Sequence, residues 1–211
     1  MPERADKDTD RDTDKDNKLV ELMEKSGALL TGHFKLSSGL HSGKYIQCAR
    51  LLEDPARAEY AGRRLAEALT AELGDDGPDL VVSPALGGVI IGHEVARAMG
   101  VRFFFTERAD GKMALRRGFG IDGGERAVVV EDVVTTGGST REVIAAVEEA
   151  GGRVAAVGSI VNRGADVDFG VPFVSLHQDE ITNHDPGDCP MCREGRPLVK
   201  PGSRSGPGGK A

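Results

Sequence analysis

At 211 residues the chain is long enough for one domain with a substantial core, and 39% hydrophobic with 29% charged residues fits a soluble globular fold with polar tails. A formal net charge of −7 lacks the basic footprint of a nucleic-acid binder. No apolar run reaches the roughly 20 residues that cross a bilayer, and no apolar h-region marks a secretory leader. Three cysteines, Cys48, Cys189 and Cys192, give no disulfide framework. The expectation is a cytoplasmic protein with neither a membrane nor a nucleic-acid partner.

Residues 1–17 alternate Asp with Lys, Arg and Thr, cannot bury enough surface to fold alone, and read as a disordered polar tail. An EF-hand is excluded because its glycine and closing glutamate are missing. Residues 18–30 form a short amphipathic pattern, with Leu19, Leu22 and Met23 inward and Gly27 as its stop. Residues 33–47 read as two short strands around Ser37-Ser38-Gly39, a small cap ahead of the main pattern. Pro55 starts a helix whose inward stripe is Tyr60, Ala61, Leu65, Leu69 and Leu73. Leu80-Val81-Val82 is a buried strand, Ser83 to Gly88 a loop, and a helix follows with Val89, Ile90, Val95 and Met99. Arg102 to Phe105 is the next strand, and residues 107–124 show no clear period and read as a long loop. Strands at Ala127 to Val130, Val154 to Val161 and Val171 to Leu176 complete the set. Strands alternating with helices predict an α/β fold, a parallel sheet covered on both faces. Ligands bind such sheets beyond the carboxyl ends of the strands, where the loops 83–88, 107–124 and 131–139 emerge.

The stretch VVVEDVVTTGGST, from Val128 to Thr140, carries the most chemistry. It orders a buried strand, two acids, a loop of hydroxyls and glycines, and a helix with Val143, Ile144 and Val147 on one face. A loop entering a helix N-terminus offers unpaired N–H groups and the positive end of the dipole, which attract phosphate. The acids Glu131 and Asp132 suit sugar hydroxyls. Together they read as a cradle for a phosphorylated sugar.

This string resembles the phosphoribosyl-pyrophosphate motif of type I phosphoribosyltransferases, and the chain as a whole resembles the orotate phosphoribosyltransferase family. LSSGLHSGKY is similar to that family's hood, SPALGG to its pyrophosphate loop, ERADGK to its mobile catalytic loop, and Ser159 to Arg163 to the strand bearing its orotate-side arginine. The likeness runs from about residue 19 to about residue 200. It implies a type I phosphoribosyltransferase fold over 18–200, a central parallel sheet flanked by helices with an N-terminal hood at about 18–50, and a flexible tail at 201–211. It also implies transfer of a 5-phosphoribosyl group to orotate, giving orotidine 5′-monophosphate and pyrophosphate, with Mg²⁺ held mainly by substrate.

Roles follow from the resemblance. Glu131 and Asp132 accept from the ribose hydroxyls, and Asp132 also acts at the reacting centre. Val133, Val134, Thr135, Thr136, Gly137, Gly138 and Ser139 bind the phosphoribosyl group, with the N–H groups and hydroxyls from Thr135 to Ser139 on the 5′-phosphate. Thr135 and Arg163 bind orotate. Arg108 and Lys112, with Arg116 and Arg117 beside them, act on the leaving pyrophosphate from loop 107–120, which a homodimer supplies in trans. The chain departs from the pattern at Ser37, where relatives have Lys, at Leu86-Gly87, where they have Tyr-Lys, at Ala109 for a basic residue, and near Ala114 for a loop histidine. Lys44 or His41 is the substitute for the hood lysine, with His41 otherwise a surface polar group. Cys189-Pro190-Met191-Cys192 has the spacing of half a zinc knuckle, to be completed by His177 and His184 upstream or by the same motif of a second chain across a dimer; the bland reading is a reduced loop without metal. Competing functions are a phosphoribosyltransferase for another base and a regulator that senses phosphoribosyl pyrophosphate. The second lacks room for a helix-turn-helix ahead of the hood.

Overall fold

A computed structural model describes residues 17–36, 38–164, 167–179 and 182–201. Most of both expected tails, and Ser37, lie outside these residues. Helix α1 covers 17–26, and Leu19 and Met23 are buried as their spacing predicts. Strands β1 (Leu29–Lys35) and β2 (His41–Ile46) form the expected hairpin, beginning four residues earlier than the alternation suggests. The short helix α2 (Cys48–Leu52) follows. Asp54 caps α3 (Pro55–Leu73), its carboxylate accepting from Ala56 N–H at 3.0 Å and Arg57 N–H at 3.1 Å. Such a cap contributes about 1 kcal/mol. Ala61, Leu65 and Leu69 are fully buried, while Tyr60 and Leu73 pack at the rim of that core.

The main sheet runs β5-β4-β3-β6-β7-β8. Its strands are β3 (Leu80–Pro84), β4 (Arg102–Ala109), β5 (Lys112–Leu115), β6 (Arg126–Val134), β7 (Arg153–Asn162) and β8 (Phe173–Gln178). Helix α4 (Gly87–Met99) links β3 to β4, and α5 (Gly138–Glu149) links β6 to β7. All pairings are parallel except β4 with β5. The expected long loop at 107–124 is thus a β-hairpin up to Leu115: Arg108 faces Met113 and Ala109 faces Lys112 across it. The alternation there is weak because an edge ribbon has no two-sided core to pattern it.

Val128, Val129 and Val130 are fully buried in succession because both faces of the sheet are covered. Val81, Val128 and Val130 pack with α3 and α4 on one side; Leu80, Val82 and Val129 pack with Val143 and Val147 of α5 on the other.

The hood is a separate three-stranded sheet. Its third strand, β9 (Asn183–His184), comes from the far end of the chain and pairs with β2. Beyond it lies the single-turn helix α6 (Pro190–Arg193). The chain then returns to β1, where Lys35 N–H donates to Val199 O and Val199 N–H donates to His33 O, both at 2.8 Å. No described helix is long and apolar enough to cross a membrane.

Candidate active site

β3 and β6 are neighbours, but the chain leaves them in opposite directions, through α4 to β4 and through α5 to β7. That divergence opens a crevice at their carboxyl ends, where α/β sheets bind ligands. Two helix N-termini meet there. Neither α4 nor α5 has a side chain capping its first turn, so their leading N–H groups remain available to anions. Glycine is needed on both sides. A Cβ on Gly87 would lie 2.7 Å from Asp132 Oδ1, so the loop backbone runs directly against that carboxylate. Gly137, the residue before α5, has φ +75°, and a Cβ there would meet Phe169 at 2.8 Å and Val167 at 2.9 Å.

Glu131 and Asp132 end the buried part of β6. Glu131 is 5% exposed and accepts from Ser139 Oγ at 3.0 Å. Burial, and then the charge of Asp132, push its carboxyl up to about 8. Burial also raises the Asp132 carboxyl, against the lowering effect of its hydrogen bonds to Glu131 and to Val133 N–H. The groups acting on this pair are each other, Ser139 and backbone amides; no cation is among them. The pair is therefore biased toward its protonated form, and sugar hydroxyls or a hard divalent cation would draw it toward ionisation.

Beside the acids lies a cavity of about 820 Å³, lined by hood, motif loop and C-terminal segment together. Thr135 and Thr136 come from the motif, Lys35 and Tyr45 from the hood, Arg163 from the end of β7, and Asn183 and Lys200 from the returning chain. Lys35, Arg141, Arg163 and Lys200 give it four cations, and no carboxylate is among its described lining residues. In a chain of net charge −7 this is a local positive field for an anion. Arg163 is fixed by its own N–H donating to Val134 O at 2.8 Å. Its Nε is buried without an acceptor, and burial lowers its pKa, against the influence of Asp179. A planar donor held this way suits a carboxylate or ring oxygen.

Thr135, Thr136 and Arg163 share the cavity; Glu131, Asp132 and Ser139 are not among its lining residues, Glu131 and Ser139 being joined to each other, and Gly137 and Gly138 form the turn into α5. Val133 N–H and Val134 C=O are used within the site, holding Asp132 and Arg163. Arg108 and Lys112 do not line the cavity. Arg108 is turned toward Glu142 of α5 at 3.1 Å and donates to Gly111 O at 2.7 Å, and Lys112 is exposed on the hairpin. Arg117 is paired through two nitrogens with Glu107, at 2.8 Å each, which neutralises it locally.

Of the substitutes for a hood lysine, Lys44 is paired elsewhere and the surface reading of His41 needs correction. Lys44 Nζ is bound to both oxygens of Asp179, at 2.9 and 3.0 Å. His41 is 4% exposed, not a surface group, because β2 turns it inward against His33. The hood cation is Lys35. Its signal was available: in Phe34-Lys35-Leu36 the alternation buries Phe34 and sends Lys35 the other way. Lys200 and Asn183 carried no such signal, since only tertiary pairing brings them to the hood.

Comparison with known proteins agrees with this geometry. The phosphoribosyl transferase domain family matches residues 50–170. The orotate phosphoribosyltransferase of Heliobacterium modesticaldum is 50% identical over 90% of this chain and 98% of its own length. That of Thermotoga maritima is 52% identical over 88% of this chain and 98% of its own. Among solved structures, the Mycobacterium tuberculosis orotate phosphoribosyltransferase in complex with 5-phospho-α-D-ribosyl 1-diphosphate superposes with a TM-score of 0.62 at 26% identity, covering 78% of this chain and 96% of its own. The Aeropyrum pernix enzyme gives 0.61 at 29%, covering 76% and 93%. Identity at this level across nearly the whole length, on a sheet whose hydroxyl loop and hood converge on one cavity, shows that the chain belongs to the orotate phosphoribosyltransferase family.

Proposed function

We propose that the protein transfers the 5-phosphoribosyl group of phosphoribosyl pyrophosphate to orotate, forming orotidine 5′-monophosphate and pyrophosphate for pyrimidine synthesis. The observation that carries this is the shared cavity: the hydroxyls leading into a helix N-terminus, next in the chain to an acid pair, face one space with a half-buried arginine whose Nε has no acceptor. The 5′-phosphate is held by the N–H groups and hydroxyls from Thr135 to Ser139. Glu131 and Asp132 accept from the 2′- and 3′-hydroxyls and stabilise the positive charge that develops at the anomeric carbon. The second helix N-terminus, at Gly87 and Gly88, receives the pyrophosphate through backbone N–H groups alone, as a glycine-rich anion nest does. Arg163, Lys35 and Thr135 orient orotate, whose ring nitrogen replaces the departing pyrophosphate oxygen.

An acid pair with no cation among the groups acting on it and an anionic substrate fit Mg²⁺, which keeps most of its waters and takes few protein ligands. When bound it would supply charge neutralisation for pyrophosphate, held mainly by substrate, with Asp132 and Glu131 as the acids that would assist. The exposed hairpin carrying Arg108 and Lys112 closes over pyrophosphate from the second subunit of a homodimer, excluding water as it does so.

Purified protein with Mg²⁺ and phosphoribosyl pyrophosphate is expected to consume orotate in preference to uracil, adenine and hypoxanthine. Faster consumption of any of these three overturns the assignment.

A further inference from the structure

The Cys189–Cys192 pair, left with only two ligands by its spacing, gains two more from an unexpected direction. His177 lies on β8 near Asp179 (3.8 Å) and His184 on β9, and neither joins it. The imidazoles that reach the thiols are His33 of β1 and His41 of β2. One ligand atom from each of the four residues lies within 4.8 Å of all the others. Cys189 Sγ is 3.5 Å and Cys192 Sγ 3.6 Å from His33 Nε2; Cys192 Sγ is 3.3 Å and His33 Nε2 2.9 Å from His41 Nδ1. A tetrahedral zinc with bonds of about 2.3 Å to sulfur and about 2.0–2.1 Å to nitrogen has S···N edges of about 3.5 Å and an N···N edge of about 3.3 Å. The cluster is already near those dimensions.

The second shell points the same way. His33 Nδ1 lies 2.9 Å from Arg196 O. A carbonyl only accepts, so Nδ1 carries the proton and Nε2 presents its lone pair to the cluster. This is the orientation a metal-bound histidine is given by its outer partner. His33, His41 and Cys189 are buried and Cys192 sits at the edge, which closes the centre and leaves an entry path. Three of the four residues are taken out of water.

We propose that His33, His41, Cys189 and Cys192 form a structural zinc site that fastens the C-terminal segment onto the hood. Each thiol gives up its proton, and two thiolates with two neutral imidazoles leave a neutral Zn²⁺ centre. The cross-link spans 156 residues between His33 and Cys189. It pins the segment that carries Asn183 and Lys200 against the strands that carry Lys35 and Tyr45. The soft donor set favours Zn²⁺ over Mg²⁺, which takes oxygen, so this centre is distinct from the catalytic cation.

The test is metal content and spectroscopy on the full-length reduced protein, independent of turnover. Protein stripped by chelator and titrated with Zn²⁺ alone is expected to retain about one ion per chain through gel filtration, with a rise in Tm. Co²⁺ in its place is expected to show the visible bands of a tetrahedral thiolate site. Cys189→Ser/Cys192→Ser is expected to hold less than about a tenth of an ion, whereas Cys48→Ser, which removes a thiol outside the cluster, retains it. If the double variant does not fold, His41→Cys, expected to keep the ion with a third thiolate, and the wild-type Co²⁺ spectrum decide instead. Substoichiometric Zn²⁺ in folded wild type, an octahedral Co²⁺ spectrum, undiminished binding by the double variant, or a Cys189–Cys192 disulfide under reducing conditions each overturns the proposal.

Discussion

Glu131 shows most directly how a residue can be placed for a ligand at the expense of the fold. Its carboxyl is buried beside Asp132 and pushed up to about 8. A carboxyl whose pKa is higher folded than unfolded takes up protons on folding, so its contribution to stability falls as pH rises from the ordinary carboxylate range toward 8 and levels off beyond. Glu131→Gln is therefore expected to raise Tm at pH 8 relative to wild type, by the equivalent of about 1–2 kcal/mol, with the difference vanishing near pH 4; scanning calorimetry across that range checks it. Ribose hydroxyls donate to the ionised form, so phosphoribosyl pyrophosphate binding at pH 7 is expected to release protons. Calorimetric titration in buffers of different ionisation enthalpy measures that release, and uptake instead would contradict the placement of the hydroxyls on this pair. Arg163 makes the complementary case. Arg163→Lys keeps the charge and loses the planar fork, and is expected to raise KM for orotate by roughly 10–100-fold, from about 1.5–3 kcal/mol of a charge-assisted bond, with KM for phosphoribosyl pyrophosphate little changed. Steady-state kinetics with each substrate varied in turn distinguishes the two.

At the scale of elements, the β4–β5 hairpin is the part of the proposed site that stands apart from the cavity. Its basic residues find local partners, Arg108 with Glu142 and Arg117 with Glu107, as edge ribbons do when no core claims them. Lys112→Ala is expected to lower kcat by roughly 10²–10³-fold while changing KM little, because its contact strengthens only as pyrophosphate departs; unchanged kcat would remove it from the chemistry. Mixed with Asp132→Asn subunits, it is expected to recover part of the activity if the hairpin serves the neighbouring subunit. The same element shows where the sequence stopped being readable. Val128 to Val130 announced their strand because burial on both faces demands an unbroken apolar run, and the α3 stripe of Ala61, Leu65 and Leu69 announced its helix for a similar reason. Residues 107–115 have one polar face and a tight Asp110-Gly111 turn, both at positive φ, so neither period nor core marks them as strands. The acid pair, hydroxyl loop and Arg163 were legible because each lies at the end of such a run. Lys35 was overlooked although its alternation exposes it, and Asn183, Lys200 and the partners of Cys189 depend on pairings between residues more than a hundred apart, which no local window contains.

At the scale of the whole molecule, the parallel sheet and the hood depend on the chain differently. Strands β3 to β8 pair only with one another, within the middle of the sequence, whereas the hood takes β9 and Val199 from its far end. A chain ending at Gln178 is expected to keep the far-ultraviolet circular dichroism of the main sheet and helices but to lose affinity for orotate, with phosphoribosyl pyrophosphate binding reduced far less; equal loss of both would show that the two parts fold as one unit. The parallel return past His33 and Lys35 also sets a timetable. During synthesis the proposed phosphate cradle at 131–139 gains its sheet neighbours once β7 and β8 have emerged, but the cavity lacks Asn183 and Lys200 until residue 200 is made. On the proposed reading, the growing chain can cradle a phosphoribosyl group before it can seat the base, because the acceptor side of the cavity is completed only by the segment around Asn183 and Lys200.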